Sequence, residues 1–378
     1  MQLSEEHKMI REMVRKFALT EVAPLAKTID ETGEFPWATV RKMAELNLMG
    51  MPFPEQWGGG GADTLSYSIG VEEISRVCAA TGITMAAHTS LGTYPIWDSG
   101  NEDQKKKYLR DLAGGKKLGA FGLTEPGAGS DAGATDTTAV RQGDHYVVNG
   151  TKCFITNASV SETCVFTAMT DKRAGVKGIS AFIVEKGTPG FRPGKKENKM
   201  GVRGSDTGEL IFEDCKVPAE NLLGKEGQGF KVFLRTLDGG RISIGAMALG
   251  IAQAALDASV KYAKERKQFG RAIGNFGAIQ DMIAEMATEV EAARHLVYNA
   301  SELKDRGERF GKEAAMAKLY ASAVAMKATR TAVQIHGGYG YIKDYEVERY
   351  YRDVKITEIG EGTSEIQKLV IARYLLGE

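Results

Sequence analysis

Leu118-Gly119-Ala120-Phe121-Gly122-Leu123-Thr124-Glu125-Pro126-Gly127-Ala128-Gly129-Ser130-Asp131 is the stretch on which the reading of the fold turns. Gly127-x-Gly129-x-x-Ala132 has the outline of a dinucleotide fingerprint. That fingerprint works only where a helix follows the glycines and brings its N-terminus to a pyrophosphate. Thr135 to Val140 instead has the texture of a strand, so the Rossmann reading is rejected. A glycine-rich loop with hydroxyls can still cradle a cofactor through its backbone amides. A plain surface loop has the same composition, and both readings stay open for this segment taken alone.

Downstream of the loop, Tyr146 to Gly150, Thr163 to Met169, Ile179 to Val184 and Glu209 to Phe212 are short β-branched and aromatic runs separated by Gly, Asn, Asp and Pro. No helix-length segment lies between them to make parallel crossovers, so they predict hairpins of an antiparallel β domain. Upstream, Ser4 is a candidate cap and Met9, Ile10, Met13, Val14 and Phe17 recur at helical spacing. Further helices are expected over Trp37 to Leu48, Leu65 to Ala80 and Asp103 to Leu112. After Gly229 the pattern returns to long helices: Ile242 to Arg266, a stripe from Ile279 to Val297, Ala314 to Ile335, and a terminal helix carrying Leu369, Val370, Ala372 and Leu376. Four in succession suggest a bundle. The fold class is α+β and mostly α, with helices in residues 1–117, the β domain in 118–227 and the helical bundle in 228–378.

The chain has 378 residues, and its 49 basic side chains balance 49 acidic ones. It therefore has no net field to draw in nucleic acid or an anionic membrane. No apolar run reads as a membrane span of ~20 residues, nor the N-terminus as a signal peptide. Cys78, Cys153, Cys164 and Cys215 have no ligand spacing, which points away from a metal site and towards a reducing cytoplasm.

Several short words carry chemistry. Phe154-Ile155-Thr156-Asn157 offers a ring on which a flat heterocycle could stack and a hydroxyl that could bond it, although an ordinary core strand reads the same way. Asp238-Gly239-Gly240-Arg241 is read as opening the first bundle helix, and Gln334-Ile335-His336-Gly337-Gly338-Tyr339-Gly340 as ending the third. Glu358-Ile359-Gly360-Glu361-Gly362-Thr363-Ser364-Glu365-Ile366-Gln367 sets a carboxylate between two glycines, on backbone that lets a ligand approach. Ser364-x-x-Gln367 then reads as a capping box whose free amides favour an anionic ligand.

Together these words, with Glu265-Arg266-x-x-Phe269-Gly270, resemble in order those of the acyl-CoA dehydrogenase family, most closely the short-chain (butyryl-CoA) type, over essentially the whole chain. The resemblance implies a homotetramer with one FAD per subunit, an acyl-CoA thioester as substrate and an electron-transfer flavoprotein as acceptor. It implies that Phe121, Leu123, Thr124, Gly129 and Ser130, with Phe154, Ile155 and Thr156, hold the isoalloxazine. Arg266, Phe269, Gln334, Ile335, Gly337 and Gly338 would reach FAD across a subunit interface, and Thr363, Ser364 and Glu365 would also meet it. Ser130, Asp238, Arg241, Gly360 and Gly362 fall where the family contacts substrate.

Desaturation between Cα and Cβ needs a base for the α-proton, and that role goes to Glu361. Exclusion of water should raise its pKa and strengthen it as a base. By resemblance, the Glu361 N–H and a ribityl hydroxyl of FAD bind the thioester carbonyl. Some relatives place the base just before the arginine of the first bundle helix, where this chain has Gly240. Three departures stand out: Gly360 replaces a common tyrosine, Gly277 a common glutamine, and His336 a common Leu or Phe. The Gly360 departure predicts room for a branched or cyclic acyl group. Rival readings are an acyl-CoA oxidase using O₂ and a non-catalytic CoA-binding protein of the same fold.

Overall fold

The first helix forms because Ser4 accepts a hydrogen bond from the His7 N–H and Glu5 and Glu6 complement the helix dipole in the opening turn. The structure is a computed structural model and describes residues 3–377. In the N-terminal region α1 (Glu5–Phe17), α2 (Ala23–Thr32), α3 (Trp37–Glu45), α4 (Thr64–Val77) and α5 (Ala79–Ala86) are followed by short α6 (Tyr94–Ser99), α7 (Glu102–Gln104) and α8 (Arg110–Ala113). The helix expected over Trp37 to Leu48 stops at Glu45, ahead of Asn47 at φ 56°. The one expected over Leu65 to Ala80 breaks at Cys78, whose backbone is extended, into α4 and α5.

The central sheet holds β1 (Gly119–Gly122), β2 (Thr138–Gln142), β3 (His145–Thr156), β4 (Thr163–Met169), β5 (Ile179–Glu185), β6 (Phe191–Lys196), β7 (Thr207–Pro218) and β8 (Leu222–Leu223). Its order is β6-β7-β3-β2-β4-β5-β8, with β1 paired to β4. Most pairs are antiparallel, as expected. Two are parallel: β1 with β4, and β2 with β4 through Thr138 and Met169. The crossover from β1 to β4 needs no helix, because the β2–β3 hairpin lies between them in the chain. β4 and β5 are buried almost throughout, against the second layer of the sheet's core.

The bundle consists of α9 (Gly229–Glu265), α10 (Gly277–Asp305), α11 (Gly311–His336), α12 (Val347–Val354) and α13 (Ser364–Leu376). α12 was not expected; it buries Val347, Tyr350 and Val354 at helical spacing. α9 is long and apolar enough to cross a membrane by length and composition, contrary to the sequence expectation, and 78% of its most apolar stretch is buried inside the fold. Asp238-Gly239-Gly240-Arg241 lies within α9 rather than opening it. On α13 Leu369, Leu375 and Leu376 are exposed, Ile366, Val370 and Ile371 are half-buried, and Gln367 is the buried position.

One buried ion pair fixes the glycine-rich loop between β1 and β2. Lys152 of β3 and Glu125 are both buried, with Nζ 2.6 Å from Oε1. The ammonium also donates to the Leu123 carbonyl at 3.1 Å and to the hydroxyls of Thr135 and Thr167, each at 3.2 Å. Glu125 in turn accepts from the amides of Asp136 and Thr137. Burial alone would raise the Glu125 pKa, but Lys152 and the hydroxyls outweigh it and hold the group at about 2. Removing one partner strands the other charge, so Lys152→Met should cost about 3–5 kcal/mol in urea unfolding. The double change Lys152→Met with Glu125→Leu should recover most of that loss.

Candidate active site

A loop of unusual backbone holds the central carboxylate. After α12 the chain makes a 3-10 turn over Lys355–Glu358, and Glu361 then stands at φ 54° with Gly362 at φ 93°. A non-glycine residue in this region costs on the order of 1–3 kcal/mol and persists only where its surroundings hold it. Gln367, wholly buried, donates from Nε2 to the carbonyls of Gly362 at 2.8 Å and Glu361 at 3.3 Å. Lys318 of α11, also wholly buried, donates from Nζ to the Gly362 carbonyl at 2.5 Å. The expected capping box is therefore displaced by one residue. Thr363 is the cap, accepting from the Ile366 N–H, while Gln367 braces the preceding loop.

The loop aims the Glu361 carboxyl at α9. Its Oε2 is shielded from solvent and has no hydrogen-bond partner. A Cβ built on Gly240 would overlap that oxygen and come within 3.0 Å of Leu91 Cδ2. Glycine at this position is what lets the carboxylate lie against the helix backbone. Desolvation lifts the Glu361 pKa to about 7, with Lys318 and Arg241 opposing it. Next to it on α9, Arg241 donates from Nη1 to Asp238 Oδ1 at 2.5 Å, while its buried Nε is unpartnered. Asp238 is nevertheless raised, because desolvation outweighs the arginine.

The residues assigned by resemblance to the cofactor fall into two groups. The first lies on the sheet. Phe154 projects into solvent at φ 57°, at the β-bulge between Lys152 and Ile155, and Thr156 is half-buried beside it. Leu123 and Thr124 are half-buried, Ser130 is exposed, and the space beside Gly129 is open. Phe121 instead stacks on Phe233 at 4.0 Å and is buried, as is Ile155, so these two can offer a ligand little beyond backbone. Thr363 and Ser364 are half-buried and Glu365 is exposed.

The second group lies at the far ends of α9 and α11. The Arg266 guanidinium sits 5.3 Å from the centre of the Tyr339 ring, which ties it to the turn after α11. Gln334, Gly337 and Gly338 are exposed there, Ile335 is buried, and Phe269 is 93% exposed at the tip of a hairpin. Lys318 and Gln334 are separated by about 24 Å along α11 at the helical rise. The Glu361 loop and the Arg266 group therefore occupy opposite ends of the bundle helices. Gly277 opens α10 with free space around it, and His336 is a core residue stacked on Tyr262 at 4.2 Å. Lys318 and Gln367 were missed as site residues. The signal for Lys318 was a lysine on the apolar face of α11, in register with Ala314, Ala321 and Ala325.

Comparison with known proteins places this arrangement. Residues 4–116, 120–215 and 227–376 match the models of the acyl-CoA dehydrogenase N-terminal, middle and C-terminal domains. The chain belongs to the acyl-CoA dehydrogenase family. It is 56% identical to a short-chain specific acyl-CoA dehydrogenase of Clostridium acetobutylicum, covering 98% of each chain. The butyryl-CoA dehydrogenase structure from Megasphaera elsdenii superposes with a TM-score of 0.98 at 47% identity, over 100% of this chain and 99% of the other. A chain in a structure described as the electron transferring flavoprotein of Acidaminococcus fermentans gives 0.99 at 55% identity, again over 100% and 99%. This chain is thus an acyl-CoA dehydrogenase of short-chain type, a flavoprotein oxidoreductase with FAD as cofactor and an acyl-CoA as substrate. The residues present fit FAD: Phe154 offers an exposed ring at a bulge, and the space beside Gly127 and Gly129 is open.

The position of Glu361 has a consequence for stability. Its folded pKa lies above the ordinary value of 4.5, so the unfolded chain loses this proton first as pH rises. Stability contributed at this site is full below about pH 4.5 and is lost as pH rises through about 7. Glu361→Gln should therefore gain stability relative to wild type between pH 5 and about 8, measured as thermal midpoints of the two proteins across pH.

Proposed function

We propose that this enzyme removes the α-proton of a short acyl-CoA with Glu361 and yields the 2-enoyl-CoA, passing its electrons to an electron-transfer flavoprotein. The observation that carries the reading is the Glu361 carboxylate, whose Oε2 is dry, unpartnered and aimed at the α9 backbone beside Gly240. A carboxylate with a pKa near 7 is matched to proton abstraction at neutral pH. As the Cα–H proton passes to it, the bonding pair becomes the Cα=Cβ double bond. Bound FAD supplies the acceptor for the hydride leaving Cβ. The Glu361 N–H, held by the braced loop, donates to the thioester carbonyl, where negative charge develops. Asp238, Arg241, Ser130, Gly360 and Gly362 bound the acyl and thioester region.

The first group of sheet residues, with Thr363 to Glu365, holds the flavin of the same chain. Arg266, Phe269 and Gln334 to Gly338 serve a neighbouring chain's cofactor, which makes a homotetramer the working unit. The distance between the two groups along α11 supports this, as do exposed Leu369, Tyr374, Leu375 and Leu376 on α13. The domains run over residues 1–117, 118–227 and 228–378. A cytoplasmic location without membrane insertion suits four free, buried cysteines.

Gly360 opens the acyl pocket to branched or cyclic groups. The nearest atoms to a Cβ built there belong to Ile356, at 3.4–3.8 Å, and the backbone has no positive φ, so a side chain can start from this position without strain. Gly360→Tyr should then lower kcat/KM for isobutyryl-CoA, 2-methylbutyryl-CoA and cyclohexanecarboxyl-CoA far more than for butyryl-CoA. Equal losses across that panel would remove the pocket argument.

Anaerobic bleaching of the flavin tests the base. Wild type should show a rate that rises as pH passes through about 7. Glu361→Gln should keep FAD and bind the thioester, with bleaching slowed by at least ~10²–10⁴-fold. A Gln variant that bleaches at the wild-type rate would place the base elsewhere. Oxygen uptake by the substrate-reduced enzyme separates this reading from an oxidase.

A further inference from the structure

Lys318 is a buried charged group that the chemistry above leaves without a task. Its side chain is fully buried, and among the described residues no carboxylate lies within ion-pair distance of it. Burying an ammonium in this way is costly. A neutral side chain of similar length would fill the same space at no such cost. The hydrogen bond it makes is to the Gly362 carbonyl, the peptide immediately after the base. Gln367 meets the same carbonyl from α13, so Gly362 is clamped from two helices.

The clamp bears on the part of the loop least able to hold itself, since Glu361 and Gly362 both have positive φ. The charge has a second effect. Lys318 heads the influences that oppose desolvation at the Glu361 carboxyl, ahead of Arg241. The groups facing this site are Arg241 from α9, Tyr67 from α4, Glu358 before the loop and Glu365 from α13. Arg241 is committed to Asp238 through its own ion pair. Lys318 has no such partner.

We infer that Lys318 is a positioning residue for Glu361, holding the base loop through the Gly362 carbonyl and keeping the carboxylate ionisable in its dry site. The inference rests on the reading of Glu361 as base. The ammonium is itself weakened: desolvation pushes Lys318 down to about 8, while Glu361 opposes that shift. Base and brace are therefore coupled, with Glu361 required ionised and Lys318 required protonated. The rate of proton abstraction should rise with pH as Glu361 ionises and fall again as Lys318 loses its proton.

The test uses the FAD-loaded enzyme and compares wild type with Lys318→Met, Lys318→Gln and Lys318→Arg. Rates of anaerobic flavin bleaching by butyryl-CoA are followed against pH. The ionisation of Glu361 is read independently from its carboxyl infrared band, taken as the difference from Glu361→Gln. Met and Gln should move both midpoints to higher pH by about one unit, the size of effect a nearby opposite charge exerts. They should lower kcat at pH 7 about fivefold with little change in KM, and abolish the alkaline fall. Arg, which keeps the charge, should leave the infrared midpoint near that of wild type. Gln retains an amide donor of the kind that already serves the loop at Gln367, so it keeps the test open if Met fails to fold. Unshifted midpoints in a folded Met or Gln variant, with rates lowered equally at every pH, would reduce Lys318 to packing and overturn the inference. If Glu361→Gln bleached normally, the reading of the base would fail instead, and the two failures are distinguishable.

Discussion

A carboxylate can act as a base near neutral pH only if it is kept dry enough to want a proton and charged often enough to take one. Both demands meet at Glu361, where burial lifts the pKa and two cations draw it back to about 7. The rest of the structure serves that balance. α9 supplies a glycine at the point of contact and an arginine as the next residue, α11 supplies Lys318, and α13 supplies Gln367. No one of these segments makes the site, which exists only once the bundle has packed.

That division explains what could be read in advance. The helical regions and most strands follow from apolar periodicity, which is a local property. So does the prominence of Glu361, flanked by glycines next to a helix start. β1 escaped notice because Gly119 and Gly122 leave it with little side chain to mark a strand, and it takes its place by pairing with β4. β6 escaped because it is an edge strand carrying Pro193, Lys195 and Lys196, the kind of composition that keeps edges from pairing further.

The site was legible where chemistry depends on sequence neighbours and illegible where it depends on space. Lys318 and Glu361 are far apart in the chain, and the register of Lys318 with the inward alanines of α11 does not say what the lysine meets there. The mid-helix glycines of α9 misled in the opposite direction. Gly239-Gly240 reads as punctuation, yet the helix runs through it because packing outweighs a propensity cost of about 1 kcal/mol per glycine. What the glycine serves is the oxygen of a residue on the other side of the site.

The Lys152–Glu125 pair has a consequence of a different kind. Because it ties the glycine-rich loop to β3 and to the amides that begin β2, the loop has its shape before any ligand arrives. A binding surface already in place spares the ligand the entropy of ordering it.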